Sequence, residues 1–282
     1  MKNILLIPNK NKDLNFVISK RVAELLKNSG ANVFAENPAA EISDVTKAYD
    51  SSVLLDLIIV IGGDGSILDS SKLAIEIGVP ILGVNLGKVG YLSEVDVEKL
   101  DSLNKLFSGE YSVDDKMLLE VSFTSGEKIE KSERLALNDV IIGHDTFLGI
   151  ADFRLKKSDS ETVRYRADGI IFSTPVGSTA YSLSAGGPIV AHDIDSILVT
   201  PIAPHSFFNR SIIFSSDECL EVINNGETEL NVSIDGRLFK TLNKGDKCTV
   251  RKSEKRLKVL TFDKSNMFST LFKKMKILED VK

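Results

Sequence analysis

Hydrophobic positions follow two rhythms along this chain, and the change between them falls near residue 110. Before it, short continuous apolar runs alternate with stretches of helical spacing. Ile4 to Ile7 reads as a buried strand. Leu14, Val17, Ile18, Val22, Leu25 and Leu26 then recur at helical spacing until Gly30 closes the helix. Ala31 to Ala35 predicts a second strand, Leu57 to Ile61 a third covered on both faces, and Val79 to Val84 a fourth. A helix from Ile67 to Ile77, capped by Ser66, and an amphipathic helix from Val97 to Phe107 complete an α/β layer with a parallel sheet.

From about Met117 apolar and polar positions alternate instead: Leu119, Val121 and Phe123, then Leu135 and Leu137, later Leu230, Val232 and Ile234. Turn clusters such as Ser125-Gly126, Asn224-Asn225-Gly226 and Asn243-Lys244-Gly245-Asp246 separate the runs. The expected organisation is an α/β domain over 1–109, a β-rich domain over 110–255, and a segment over 256–282 returning to the first domain. In that last segment Phe268, Leu271, Phe272 and Met275 lie at helical spacing. No internal repeat or low-complexity linker interrupts this pattern.

The composition narrows the function classes. A chain of 282 residues with 43% hydrophobic and 27% charged residues can bury a substantial core, and a net charge of −5 argues against a broad nucleic-acid footprint. Cys219 and Cys248 are far apart and in neither a metal nor a redox spacing, which reads as free thiols in a reducing compartment. His144, His192 and His205 are equally scattered, so no zinc pattern and no protein-held metal is expected. The first apolar run is too short for a signal peptide, Pro8 interrupts it, and no segment reaches bilayer length. The expectation is a cytoplasmic protein with neither membrane nor nucleic acid as partner.

Chemistry is concentrated at a few places. The strand ending at Ile61 runs into Gly62-Gly63-Asp64-Gly65-Ser66, where glycines allow close backbone approach and the following helix favours negative charge. Asp64 is out of place in an anion site unless it meets a metal or a hydroxyl proton; the alternative is an ordinary connection whose Asp only caps. A second turn, Asn85 to Leu92, follows the fourth strand, and in an open parallel sheet both turns belong to the ligand-binding edge. It is not a Walker loop, since Val89 lacks the hydroxyl, and Lys88 reads either as a phosphate contact or as a solvated lysine.

In the second domain, Asn138-Asp139 stands within an apolar stretch, where burial is costly unless both side chains are satisfied by a ligand, or where a strand simply ends. The densest block runs from Arg166 to Pro188. It includes Asp168 and the run Thr179-Ala180-Tyr181-Ser182-Leu183-Ser184, whose hydroxyls and small residues suit a fold around a polar ligand, with Tyr181 able to lie against a base. Ser178 and Ser184 are also formal candidates for a nucleophile, though no GxSxG elbow is present.

Taken in order, these blocks resemble the bacterial-type NAD kinases. The matching elements are Gly62 to Ser66, Asn85 to Leu92, Asn138-Asp139, Asp168 to Pro188, Pro201 to Ser206 with Asn209-Arg210, and Asp235-Gly236. The short glycine turn is shared with phosphofructokinase-like and diacylglycerol kinase-like enzymes; the long block is far more specific to NAD kinases. The resemblance implies an α/β domain with a parallel sheet plus a β-rich domain, with the nucleotide at their junction. It also implies transfer of the ATP γ-phosphoryl group, carried with magnesium, to the adenosine 2′-hydroxyl of NAD, in a homodimer or homotetramer. Asp64 would accept the proton, the glycine turn Gly62, Gly63 and Gly65 would meet nucleotide, and Asn138, Asp139, Arg166, Asp168 and Thr179 through Ser184 would bind NAD. Val176, Ser211 and Arg237 depart from residues common in the family (Thr, Pro and an amide). Other classes remain in view: a lipid or sugar kinase of the same superfamily, or a dinucleotide sensor that would not require Asp64.

Overall fold

The computed structural model describes the chain except residues 37–41, 43, 45, 88–89, 145–149, 158–161, 206–208, 263–270 and 272–282. Lys88 and the apolar positions Phe268, Phe272 and Met275 therefore lie outside the described residues. The chain forms two compact units, one of Met1–Asp115 together with the chain from Leu257, the other of Lys116–Arg256.

The first unit is built on parallel strands β1 (Asn3–Pro8), β2 (Asn32–Ala35), β3 (Thr46–Ala48), β4 (Leu57–Gly62) and β5 (Ile81–Asn85), in the order β3-β2-β1-β4-β5. A short strand β6 (Val95–Asp96) pairs with the end of β5. Every residue of β4 and β5 is buried, which is why these runs lack polar alternation. Ile4, Val22, Leu26, Ile59, Leu82 and Leu103 contribute to one apolar core. Each such side chain, fully buried, stabilises the fold by about 1.5–3 kcal/mol before entropy is counted.

Helix α1 (Val17–Asn28) buries Ser19, Val22, Ala23 and Leu26, whereas Leu14 and Val17, expected on its apolar stripe, are exposed. The cause is Asp13, itself buried: its carboxylate accepts the Ile18 and Ser19 N–H groups, both at 2.9 Å, and the Ser19 hydroxyl at 2.5 Å. A buried serine thus satisfied can take an inward position. Helix α2 (Asp64–Ile77) starts earlier than expected. Gly63, not Ser66, is its N-cap; Ser66 stands inside the first turn and its Oγ accepts a hydrogen bond from Asn9 Nδ2 at 2.7 Å. The expected helix from Val97 is mostly 3-10 (Val97–Asn104), broken at Lys99, with a single α turn at Lys105–Ser108.

In the second unit, strands β9 (Asp139–Gly143), β12 (Gly169–Ser173), β13 (Ser196–Ile202), β14 (Ile212–Ser215), β16 (Leu230–Ile234) and β17 (Arg237–Leu242) form an antiparallel sheet in the order β14-β13-β12-β9-β16-β17. The other antiparallel ladder joins β11 (Thr162–Ala167), β10 (Ala151–Lys157) and β15 (Leu220–Asn224) to β18 (Lys247–Thr261). Its neighbours are β7 (Ser112–Ser125) and β8 (Lys128–Lys131). Phe123, Phe153, Tyr165, Phe172, Val222 and Val232 belong to the core of this unit, with the Phe153 and Tyr165 rings stacked at 5.6 Å. Leu135 to Leu137 is not a strand; it makes one isolated bridge, Ala136 to Leu119, because the amide of Leu137 is taken by the Asp235 carboxylate. Cys219 and Cys248 are both free. No helix among the described residues is long and apolar enough to cross a membrane.

Candidate active site

The sheet of the first unit delivers its glycine turn from the end of β4, between two parallel neighbours. Gly62 has no room for a side chain: a Cβ there would lie 2.4 Å from Ser66 Oγ. Gly63 is extended and leads directly into Asp64, the first residue of α2. Gly65 opens onto space, with nothing within 4 Å of its Cβ position. The turn is laced to the second loop, since Leu86 N–H donates to Gly62 O at 2.8 Å and the buried Asn85 side chain exchanges hydrogen bonds with the Gly87 backbone at 3.2 Å.

The carboxylate of Asp64 is fixed rather than free. Tyr91 N–H donates to Oδ2 at 2.8 Å and Leu92 N–H to Oδ1 at 3.2 Å, so the second loop aims it. Gly90 is what permits this approach: a Cβ there would meet Asp64 Oδ1 at 2.3 Å. Burial first, and the Asp64 charge second, push the Tyr91 phenol above its ordinary pKa. Half-buried, with lone pairs left over, Asp64 can still accept a proton from a bound hydroxyl.

In the second unit the organising residue is one that motif reading did not assign. Asp235 accepts three consecutive backbone amides, Leu137 at 2.9 Å, Asn138 at 2.8 Å and Asp139 at 3.1 Å, while its own N–H donates to Asp139 O at 3.0 Å. Its φ of +48°, followed by Gly236 at +74°, is the left-handed pair that a two-residue hairpin turn between β16 and β17 requires. From the other side Thr174 N–H donates to Asn138 O at 2.9 Å and Thr174 Oγ1 to Leu137 O at 2.5 Å. Gly177 packs flat on the same peptide, where a Cβ would lie 2.0 Å from Asn138 O. Together these contacts fix the backbone from Leu137 to Asp139.

Asp139 is buried, and burial together with repulsion from Asp235 raises its pKa to about 7. Burial raises Asp235 as well, against the three amides that pull it down. Both carboxyls are thus pushed above the ordinary range, and Asp139 exchanges its proton near neutral pH, so it can donate to or accept from a polar group.

The long block is ordered by its own backbone. Ser178 donates to Pro175 O at 2.6 Å and accepts from Val190 N at 3.0 Å, which commits its hydroxyl to holding the loop and removes it as a nucleophile. Thr179 closes a 3-10 turn, and Ala180 leads into the single helical turn Tyr181–Ser184. Tyr181 and Leu183 are exposed, and Ser184 with them. Ser182 faces inward, 3.0 Å from Thr200 Oγ1, where Gly187 leaves it room.

Asp168 lies 3.6 Å from His144 Nε2 at the start of β12. Arg166 lines a cavity of about 580 Å³ with Arg164, Asp152 and His205. Asp235, Thr174 and Gly177 were the residues to find; the advance signals were the Asp235-Gly236 turn and the block from Arg166 to Pro188, which contains the other two without singling them out.

A parallel sheet that offers an aimed carboxylate on a glycine turn, in one chain with an antiparallel unit carrying a buried acid pair, belongs to the class of phosphotransferase-like α/β proteins with a β-rich partner unit. Comparison with known proteins makes this specific. Residues 4–111 match the model of the ATP-NAD kinase N-terminal domain and residues 137–262 that of the ATP-NAD kinase C-terminal domain. The NAD kinase of Caldanaerobacter subterraneus subsp. tengcongensis is 36% identical over 98% of this chain and 99% of its own length, and that of Lachnoclostridium phytofermentans 33% identical over 96% and 98%. Among solved structures, an NAD kinase from Archaeoglobus fulgidus in complex with ATP is 26% identical with a TM-score of 0.72, covering 97% of this chain and 98% of that one. A yeast NADH kinase complexed with NADH shares the fold, with a TM-score of 0.83 at 23% identity over 95% and 85% of the two chains. The chain belongs to the NAD kinase family.

Proposed function

We propose that the protein phosphorylates NAD, transferring the γ-phosphoryl group of ATP to the adenosine 2′-hydroxyl to give NADP and ADP. Family membership and full-length relatives named NAD kinase support the reaction. The observation that carries the mechanism is Asp64, held by two amides at the end of the glycine turn.

The 2′-oxygen bonds to the γ-phosphorus as the bridging oxygen leaves with ADP, and the hydroxyl proton passes to the Asp64 carboxylate. Such assistance contributes typically ~10²–10⁴-fold. Amides of the Gly62-Gly63-Asp64-Gly65 turn steady the phosphates. Asn138, Asp139, Arg166, Asp168 and the Thr179–Ser184 run bind NAD, with Asn138 and Asp139 suited to base edges or ribose hydroxyls and Asp235 setting their backbone. Magnesium enters with the substrate as MgATP. The enzyme acts in the cytoplasm as a homodimer or homotetramer; light scattering of the purified protein tests the assembly.

The decisive assay incubates purified protein with NAD, ATP and magnesium and detects NADP with an NADP-specific dehydrogenase. NADP formation is expected, and its absence from folded protein overturns the reading. Replacing NAD by NADH, or ATP by polyphosphate, in the same assay fixes the specificity.

A further inference from the structure

We propose that Lys12 is a contact of the phosphoryl donor, its ammonium holding the transferred phosphate of ATP over the glycine turn. The inference rests on the NAD kinase reading above and adds a residue to it. Lys12 lies in the loop between β1 and α1, in a stretch with no motif to mark it.

The loop is tied to the turn through Asn9. Asn9 N–H donates to Ile61 O at 2.8 Å and Asn9 Nδ2 to Ser66 Oγ at 2.7 Å, so one residue clasps both the end of β4 and the first turn of α2. Asn9 also fixes the next residues of the loop. Its carbonyl accepts the N–H groups of Lys12 at 3.0 Å and Asp13 at 2.9 Å, and its Oδ1 those of Asn11 at 3.1 Å and Lys12 at 3.2 Å. Beyond Lys12, the buried Asp13 is locked to the start of α1. The backbone of Lys12 is thus held on both sides while its side chain is exposed.

That side chain crosses to the glycine turn. A Cβ built on Gly63 would lie 3.0 Å from Lys12 Nζ, which places the ammonium directly beside the glycine turn. Among the described residues no ion pair occupies Lys12. The one carboxylate on the turn, Asp64, is turned to the amides of Tyr91 and Leu92. A positive charge therefore stands beside the residue preceding the proton acceptor, with no internal partner to give up when an anion arrives. A lysine ammonium is suited to this task, because a compact charge with three donors can follow the equatorial phosphate oxygens as charge redistributes among them.

The test measures binding and turnover of Lys12→Ala, Lys12→Gln and Lys12→Arg. Calorimetry with a non-hydrolysable ATP analogue and magnesium is expected to show affinity weakened roughly 10–100-fold in Lys12→Ala and Lys12→Gln, the range for losing a charged hydrogen bond. The KM for ATP rises or kcat falls to a similar extent, the KM for NAD stays within about twofold, and Lys12→Arg recovers part of the loss. The urea midpoint should not move, since the side chain is exposed and unpaired. Analogue affinity and kcat within about twofold of the parent in both neutral variants overturn the proposal, as does an equal rise in the KM for NAD. If the parent protein makes no NADP, the NAD kinase reading fails, and the analogue titration still decides Lys12 by itself.

Discussion

Two carboxylates in this protein are gripped by backbone amides, and they do opposite things. Asp64, half-buried, accepts two amides and keeps lone pairs toward its surroundings, so its neighbours aim it without consuming it. Asp235 accepts three, and what it gains is the shape of the Leu137–Asp139 segment rather than any reach of its own. The first arrangement suits a group that acts; the second suits one that positions. The expected consequences of altering each residue differ accordingly.

The largest effect should come from Asp64→Asn. It is nearly isosteric and leaves acceptor capacity for one of the two amides, yet it cannot take a proton. Turnover should fall ~10²–10⁴-fold while NAD affinity, measured by calorimetry, is retained. Near-normal turnover would strip Asp64 of the base role and erase the contrast with Asp235.

The next test uses protons in the other region. Asp139 has a folded-state pKa of about 7 against an ordinary value of 3.8. Between those values the folded protein holds a proton that the unfolded chain has released, so this group's contribution to stability is present in full below the unfolded pKa and is lost as pH rises toward about 7. Over that window the loss amounts to about 4 kcal/mol at most, shared with Asp235 because the two titrate together. Urea unfolding at several pH values should show this slope in the parent protein and a flatter profile in Asp139→Asn. Identical profiles would mean that neither burial nor Asp235 raises the Asp139 pKa in the folded state.

Gly90→Ala sharpens the comparison from the first region. Its methyl would fall 2.3 Å from Asp64 Oδ1, so the loop or the carboxylate must shift. A misplaced reacting group of this kind costs turnover about 10²-fold. Gly65→Ala, whose methyl meets open space, should leave the Asp64 geometry intact and serves as its control.

These contrasts also explain what the sequence revealed. Parallel strands β1, β2, β4 and β5 were legible because a strand covered on both faces is a continuous apolar run, a local signal, whereas β3, exposed at two of its three positions, carries no such run. The glycine turn was legible too, since the conformations it needs are supplied by neighbours in the chain. Three features were not visible in the periodicity. Ser66 reads as a cap, but Asn9, far away in sequence, occupies its hydroxyl. Leu135 to Leu137 reads as a strand, but Asp235 takes the Leu137 amide the ladder would have used. Leu14 and Val17 fit an apolar stripe that Asp13 rotates outward. In each case a side chain took a backbone group or a hydroxyl that the periodicity had left for something else.

The smallest expected effect is the most diagnostic of the second arrangement. Asp235→Asn retains one acceptor, enough for the amides on Oδ1, but turns an N–H₂ toward the Leu137 amide and leaves that donor unsatisfied, at a cost of about 1–3 kcal/mol. Against this, the substitution removes a negative charge beside Asp139. At about pH 6 Asp139 is largely protonated and there is little repulsion to relieve, so the full cost appears; at about pH 8 it is ionised and the relief offsets part of the loss. Asp235→Asn should therefore destabilise more at the lower pH, and in the Asp139→Asn background that pH dependence should vanish, a non-additivity expected only of residues in one network. A pH-independent loss would leave Asp235 as a hairpin residue whose charge is irrelevant to its neighbour.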